Sequence, residues 1–237
     1  MRVSPSILVI VGGLAVLVAV IVTNQVLPAD DPGVARLRPW LAARALGVTA
    51  YLLLALDVGV GLVLAHPRNA VAWRLTKPVF PWHELLTVFT FAFLAMHVGL
   101  LAADPYANVG PIGALVPGLS GYRPPAVAVG TVGTYALVLT AVSAKWTKLL
   151  PSGWWLRLHR FSVVAFLLIW THAVLAGTDS GVLLPMYLAT GCLILAAVAH
   201  RWWTARARPA RREVVTGSPA RVATRPTPVP VPVAEQA

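Results

Sequence analysis

Four histidines, His83, His97, His159 and His172, stand inside long apolar runs. An ionisable side chain is costly in such a setting, and by default it marks a functional site. Fourteen positions separate His83 from His97, and thirteen separate His159 from His172. At a rise of ~1.5 Å per residue, each spacing corresponds to roughly 20 Å of depth along a helix. If the two helices run in the same direction, His83 and His159 share one level and His97 and His172 share another. Imidazole is a preferred axial ligand of haem iron. Two haems, each held by two histidines and stacked one above the other, satisfy all four.

The azimuths agree only in part. At ~100° per residue, fourteen steps return to within ~40° of the starting face, whereas thirteen leave ~140°. The second histidine helix is therefore expected either to be distorted or to offer its imidazoles from different sides. Unrelated core or interfacial histidines would have no reason to sit at two matched depths. His66 and His200 fall at the ends of apolar runs and read as interfacial residues, with a role near the neighbouring haem as the alternative.

The elements that carry these residues must be membrane helices. Of the 237 residues, 58% are hydrophobic and only 11% are charged, against ~25% charged in a soluble domain. So few charges cannot cover a water-facing surface. About 20 apolar residues span the hydrocarbon core, and six runs qualify: Pro5 to Leu27, Trp40 to Ala65, Phe80 to Ala103, Ala126 to Ala144, Leu158 to Gly177 and Val182 to His200. The expected fold is an all-α integral membrane protein, a six-helix bundle over residues 1–200, with a basic, Pro-rich disordered tail over 201–237. A cleaved signal peptide is the alternative for the first run, which is longer than a typical signal core.

The net charge of +11 does not point to nucleic acid, because the cations sit in short loops and in the tail. With the N-terminus inside, the inner segments hold Arg2, Arg68, Arg74, Lys77, Lys145, Lys148, Arg157, Arg160 and the seven arginines from Arg201 to Arg225. The outer segments hold Arg36, Arg38, Arg44 and Arg123. Positive residues favour the cytoplasmic side, so both termini are expected inside a cell membrane, with the tail free to contact anionic lipid. Seven tryptophans, Trp73, Trp82, Trp146, Trp154, Trp155, Trp202 and Trp203, fit an inner interfacial belt, with Trp40 on the outer side. The single Cys192 rules out an internal disulfide framework.

This layout, with His-x13-His on the third span and His-x12-His on the fifth, resembles the ferric reductase-like transmembrane domain family. That family includes the membrane cores of ferric reductases and NADPH oxidases. It also includes the haem-binding membrane subunit of the bacterial periplasmic methionine-sulfoxide reductase system. The stretch LHRFSVVAFLLIWTHAVL around His159 and His172 is the most similar piece, and the resemblance covers roughly residues 5–200. It implies an inner haem b on His83 and His159 and an outer haem b on His97 and His172, both six-coordinate and suited to electron transfer. The chain would then be an oxidoreductase component that passes electrons to an extracytoplasmic acceptor such as ferric iron, oxygen or a partner reductase. The larger members carry a cytosolic flavin and nicotinamide domain. Here the longest non-membrane segment is the 37-residue tail, with no G-x-G-x-x-G turn or P-loop. A separate flavin-containing donor, a free reduced flavin or a quinol is therefore expected.

Haem propionates call for cations, and Arg160, Arg44 and Arg123 are the candidates. Asp57, inside the second span, could accept the Nδ1–H of a ligating histidine or be neutral and bonded to a carbonyl. Glu84 could act similarly. Gly47, Gly59, Gly61, Gly130 and Gly133 allow close approach, either of a macrocycle or of another helix. The Gly- and Pro-rich loop from Asp104 to Pro125 could cover the outer site. The rival readings are a quinol-linked cytochrome b subunit and a haem-free membrane scaffold or transporter. A transporter would be expected to show mid-membrane helix breaks and inverted repeats.

Overall fold

The computed structural model describes residues 32–66 and 77–206, with Ile10, Gly13, Leu14, Leu17, Val18, Ile21 and Val22 of the first apolar run. The expected first span therefore lies mostly outside the described residues. So do Arg68, Trp73 and Arg74 of the expected inner loop, and the tail beyond Arg206.

The described regular structure is all helical. Helix α1 is Pro32–Leu64, α2 is Phe80–Ala103, α3 is the short Gly110–Leu115 and α4 is Pro124–Lys145. Helices α5 (Trp154–His159) and α6 (Ser162–Ala176) follow one another closely, and α7 is Ser180–Arg206. Short 3₁₀ turns precede α2 at Lys77–Val79 and follow α4 at Thr147–Leu149. Helix is the form that satisfies every backbone polar group within one segment, as a hydrocarbon surround requires. Prolines start four of the helices, Pro32 in α1, Pro81 in α2, Pro111 in α3 and Pro124 and Pro125 in α4. There the missing N–H has no helical partner to lose.

Among the described residues, five helices are long and apolar enough to cross a membrane: α1, α2, α4, the α5–α6 unit and α7. Their bounds differ from the apolar runs in informative ways. Helix α2 matches its run, whereas α1 begins eight residues before Trp40. That added segment contains Arg36 and Arg38, polar residues that a hydropathy criterion cannot count. Helix α7 continues six residues past His200 into the segment expected to be disordered. Arg206 in its last turn stacks over Trp202 with its guanidinium 3.6 Å from the ring centroid. Arg201 Nε donates to Ala65 O at 3.1 Å. A cation at a helix C-terminus and a cation–π contact each favour this extension.

The fifth span is not uniform. Arg160 and Phe161 separate α5 from α6, and Phe161 N–H bonds Leu158 O at 2.9 Å, three residues back. Arg160 and Phe161 have ψ of −20° and −8°, flatter than an α-helix. This is a local 3₁₀ turn lying between His159 and His172. Each 3₁₀ step advances ~120° instead of ~100°. Two such residues reduce the ~140° offset between the two imidazoles to ~100°.

The helices pack as two antiparallel hairpins, α1 with α2 and α4 with α5–α6, joined through contacts of α1 and α7 with α6. At their centre Tyr51, Leu54, Leu137, Phe166, Tyr187 and Ile194 form a buried cluster. Tyr51 stacks on Phe166 with centroids 6.0 Å apart and meets Tyr187 edge-on at 5.2 Å. The Tyr51 hydroxyl bonds the Thr190 hydroxyl. Phe166 is fully enclosed, whereas Leu193 on α7 is 69% exposed. Truncating Phe166 to Ala is expected to cost about 3–5 kcal/mol through lost contacts and a cavity. Leu193→Ala is expected to stay within about 0.5 kcal/mol. Thermal unfolding of the two variants in detergent checks the contrast.

Candidate functional site

The four histidines meet as two pairs. His83 on α2 faces His159 on α5, with ring centroids 6.1 Å apart and planes at 84°. His97 on α2 faces His172 on α6 at 6.5 Å and 74°. The pairing and the two levels follow the sequence expectation.

What orients each ring is an oxygen on the partner helix of its hairpin. His97 Nδ1 lies 2.7 Å from Ala43 O, and His172 Nδ1 lies 2.8 Å from Ala126 O. A carbonyl can only accept, so Nδ1 carries the proton in both rings. In the neutral form Nε2 then keeps a free lone pair, as a metal ligand requires. His83 Nδ1 lies 2.7 Å from Asp57 Oδ1, although the approach is too bent for a well-formed hydrogen bond. His159 Nδ1 is buried and turned toward the Thr140 backbone, short of a formed bond. The Thr140 carbonyl already accepts the Ser143 hydroxyl at 2.8 Å.

Each of these four oxygens belongs to a position followed four residues later by a small residue: Gly47, Gly61, Gly130 and Ala144. Helical Cα–Cβ bonds tilt toward the N-terminus, so the side chain at i+4 overlies the carbonyl of residue i. A glycine there uncovers the oxygen and makes room for the ring. A Cβ added at Gly47 would lie 2.7 Å from His97 Nδ1. One at Gly130 would lie 2.5 Å from His172 Nδ1, and one at Gly61 would lie 3.3 Å from His83 Cε1. These glycines seat imidazoles, a use that the sequence reading missed because the contacting ring is on another helix. Gly59 and Gly133 instead meet Ile194 and Ile169, as helix-packing residues do.

Halfway between the two levels, each of the four helices supplies one buried residue: Leu54, Thr90, Leu137 and Phe166. The Thr90 hydroxyl in this layer has no hydrogen-bond partner. Beyond the layer, a mainly apolar cavity is lined by Gly47, Thr90, His97, Gly130, Thr131 and His172. The loop from Asp104 onward closes over it, as expected. Tyr135 OH donates to Leu115 O, and Thr131 Oγ1 lies 3.2 Å from Ala114 O.

The cations take several parts. Arg44 also lines the cavity, where it pairs with Asp179 and stacks 4.3 Å over the Trp40 ring. Nothing in the sequence pattern had singled out Asp179. Arg123 Nη1 donates to Leu175 O at 2.7 Å, and Tyr122 OH donates to Ala176 O at 2.8 Å. Both finish the C-terminal turn of α6, where a cation is favoured. Arg160 is exposed. His66 and His200 stack with centroids 5.2 Å apart, apart from either pair. Asp57, rather than Glu84, is the carboxylate in contact with His83.

The donor set fits haem better than a bare ion. Among the described residues, no group of three or more His, Cys, Asp or Glu side chains could hold a metal. Each pair offers two nitrogens, the number a porphyrin leaves open for axial ligation. A metal ~2 Å from two opposed imidazole nitrogens, with ring corners ~1.15 Å from the ring centre for bonds of ~1.35 Å, puts the ring centres about 6.3 Å apart. The observed 6.1 and 6.5 Å lie on either side of that value.

No family model matches the chain, and neither a curated protein nor a solved structure matches it. The reading of the site rests on its own geometry.

Gly130→Ala is expected to lower stability by about 1–3 kcal/mol, because the His172 ring must move to admit the methyl group. Gly59→Ala meets nothing closer than 3.8 Å and is expected to change stability by less than about 0.5 kcal/mol. Unfolding of the two variants in the same detergent measures the difference.

Proposed function

We propose that this chain carries electrons across a membrane through two b-type haems, one held by His83 and His159 and the other by His97 and His172. The observation that carries the reading is the pair of imidazole couples at bis-axial spacing, with Nδ1 of His97 and His172 committed to backbone carbonyls. The single cysteine, Cys192, leaves no C-x-x-C-H motif for covalent haem attachment, so the haems are of the b type. Haem would supply a one-electron couple at each level, where His83 with His159 and His97 with His172 would hold it.

The protein's own part is placement and insulation. Ala43 and Ala126 fix the tautomer and direction of His97 and His172. Gly47, Gly61 and Gly130 let α1 and α4 approach the rings. The layer of Leu54, Thr90, Leu137 and Phe166 separates the two levels. The positive-inside bias places the His83 level toward the cytoplasm and the His97 level outside, under the loop from Asp104 to Pro125. A reduced flavin on another chain gives up one electron at a time on the inner side. An extracytoplasmic acceptor, ferric iron or a partner reductase, takes one electron per passage. Arg44 and its partner Asp179 stand where propionates or that acceptor approach the outer level. The resemblance to the ferric reductase-like transmembrane domain family supports the same reading, and the chain acts as an electron-transfer subunit that relies on a separate reductase for its donor.

A reduced-minus-oxidised absorption spectrum of the purified, full-length protein tests this. About two low-spin haems per chain are expected, falling to about one in both His97→Ala and His159→Ala. Folded wild-type protein that takes up no haem on reconstitution overturns the proposal.

A further inference from the structure

Three of the four imidazole seats are built from neutral backbone carbonyls, and one is not. His97, His172 and His159 face the carbonyls of Ala43, Ala126 and the Thr140 backbone. His83 alone faces a carboxylate, with its Nδ1 2.7 Å from Asp57 Oδ1. The substitution is local and register-perfect. Asp57 stands fourteen residues after Ala43 on α1, as Thr140 stands fourteen after Ala126 on α4, and Gly61 follows it by four as Gly47 follows Ala43.

Asp57 is held in place rather than left to solvent. It is 7% exposed, and its second oxygen accepts the Thr87 hydroxyl at 2.8 Å. Thr87 sits one turn after His83 on the same helix, and its hydroxyl also lies 2.9 Å from His83 O. The histidine, the threonine and the carboxylate thus form one unit spanning α1 and α2. A carboxylate costs free energy inside an apolar bundle unless it is matched to donors. Here the Thr87 hydroxyl donates to one oxygen, and the His83 imidazole lies in close contact with the other.

We propose that Asp57 is a positioning residue that makes the inner site lower in reduction potential than the outer one, and so gives the bundle a preferred direction of electron flow. The inference rests on the two-haem reading above. A carboxylate held against the Nδ1 edge of an imidazole attracts the proton there and raises the basicity of Nε2, which favours the oxidised metal. Its negative charge, acting through a poorly polarisable interior, favours the oxidised site as well. Both effects have one sign. At the other level the ligand-orienting groups are neutral, and the Arg44 cation is offset by Asp179. The inner site therefore gives up its electron more readily, and the outer site receives it. Asp57 is the charged group in contact with a ring at the inner level.

Potentiometric titration of the visible haem bands in wild type, Asp57→Asn and Thr87→Val tests this. Asparagine keeps an oxygen of similar size and removes the charge. The lower-potential component is expected to move up toward the other, with about 10-fold more of it reduced at a fixed ambient potential. Thr87→Val removes the competing donor, leaves the carboxylate a stronger acceptor and is expected to move the same component down. The opposite signs separate this role from a merely structural one, and Thr87→Val carries the test if Asp57→Asn fails to load haem. In His97→Ala the surviving component is expected to be the lower one. The inference is overturned if haem-loaded variants leave both midpoints in place, or if the component that survives in His97→Ala is the higher. A wild-type protein without haem would instead overturn the two-haem reading from which the inference starts.

Discussion

An imidazole in the dry interior of a helix bundle has two nitrogens and no water to satisfy either of them. The oxygen that takes its Nδ1 proton is the constraint from which the rest of this structure follows. An unmatched polar group in such a place costs several kcal/mol. The only acceptors within reach are backbone carbonyls already engaged in the neighbouring helix, which have a second lone pair to offer. To reach one, the ring must turn its Nδ1 edge to that helix, and the residue one turn further along must have no side chain to cover the oxygen. Ala43 with Gly47, and Ala126 with Gly130, meet both requirements at the His97 level. Once a ring is seated this way its free nitrogen can point only away from the seat. The direction that nitrogen faces is therefore decided by a hydrogen bond on the opposite side of the ring.

Repeating that device determines the architecture. The acceptor positions on α1 are fourteen residues apart, as are those on α4, and the histidines of α2 match them at the same spacing. Each hairpin is a helix of seats packed against a helix of histidines, and the two hairpins face each other so that the histidines meet across the middle. The second histidine helix breaks the spacing by one residue. The 3₁₀ turn at Arg160 and Phe161 absorbs part of the difference by overwinding the backbone between His159 and His172. The cost shows at His159, whose Nδ1 finds the Thr140 carbonyl already shared with Ser143. The seat beside it also lacks the glycine, with Ala144 in its place.

Much of this was legible in the sequence because hydropathy and spacing are local properties. The ends of α2, the two histidine levels and the anomaly in the fifth span can all be counted along the chain. A thirteen-residue spacing on a regular helix is geometrically awkward, and the awkwardness located the distortion before its form was known. What could not be read were the properties that need a second helix. Gly47, Gly61 and Gly130 looked like packing residues because nothing local shows a ring arriving from α2 or α6. Asp57 left two roles open until the side chain of His83 was seen beside it. Arg123 was a candidate for propionates, but it finishes the C-terminus of a helix fifty residues away in sequence. The start of α1 and the end of α7 were misplaced for a different reason. Arginines that stack on tryptophan or extend into an interface lower the apparent hydropathy without ending the helix.

The layer between the two levels explains why a single charge can matter so much in this fold. Leu54, Leu137 and Phe166 bring no polar group, and the Thr90 hydroxyl brings one that nothing in the layer matches. Water does not readily enter such a layer, and few local dipoles are available to reorient around a charge placed beside it. Electrostatic effects there fall off slowly and are weakly screened compared with those of surface pairs. The exposed arginines around the bundle therefore count for less at either site than their number suggests. Asp57, enclosed and in contact with one ring, counts for more. A duplicated pair of hairpins would by itself give two equivalent sites and no preferred direction. In this chain one departure from equivalence, the Asp57 carboxylate, lies where screening is weak, so a small change in composition can set the two levels apart.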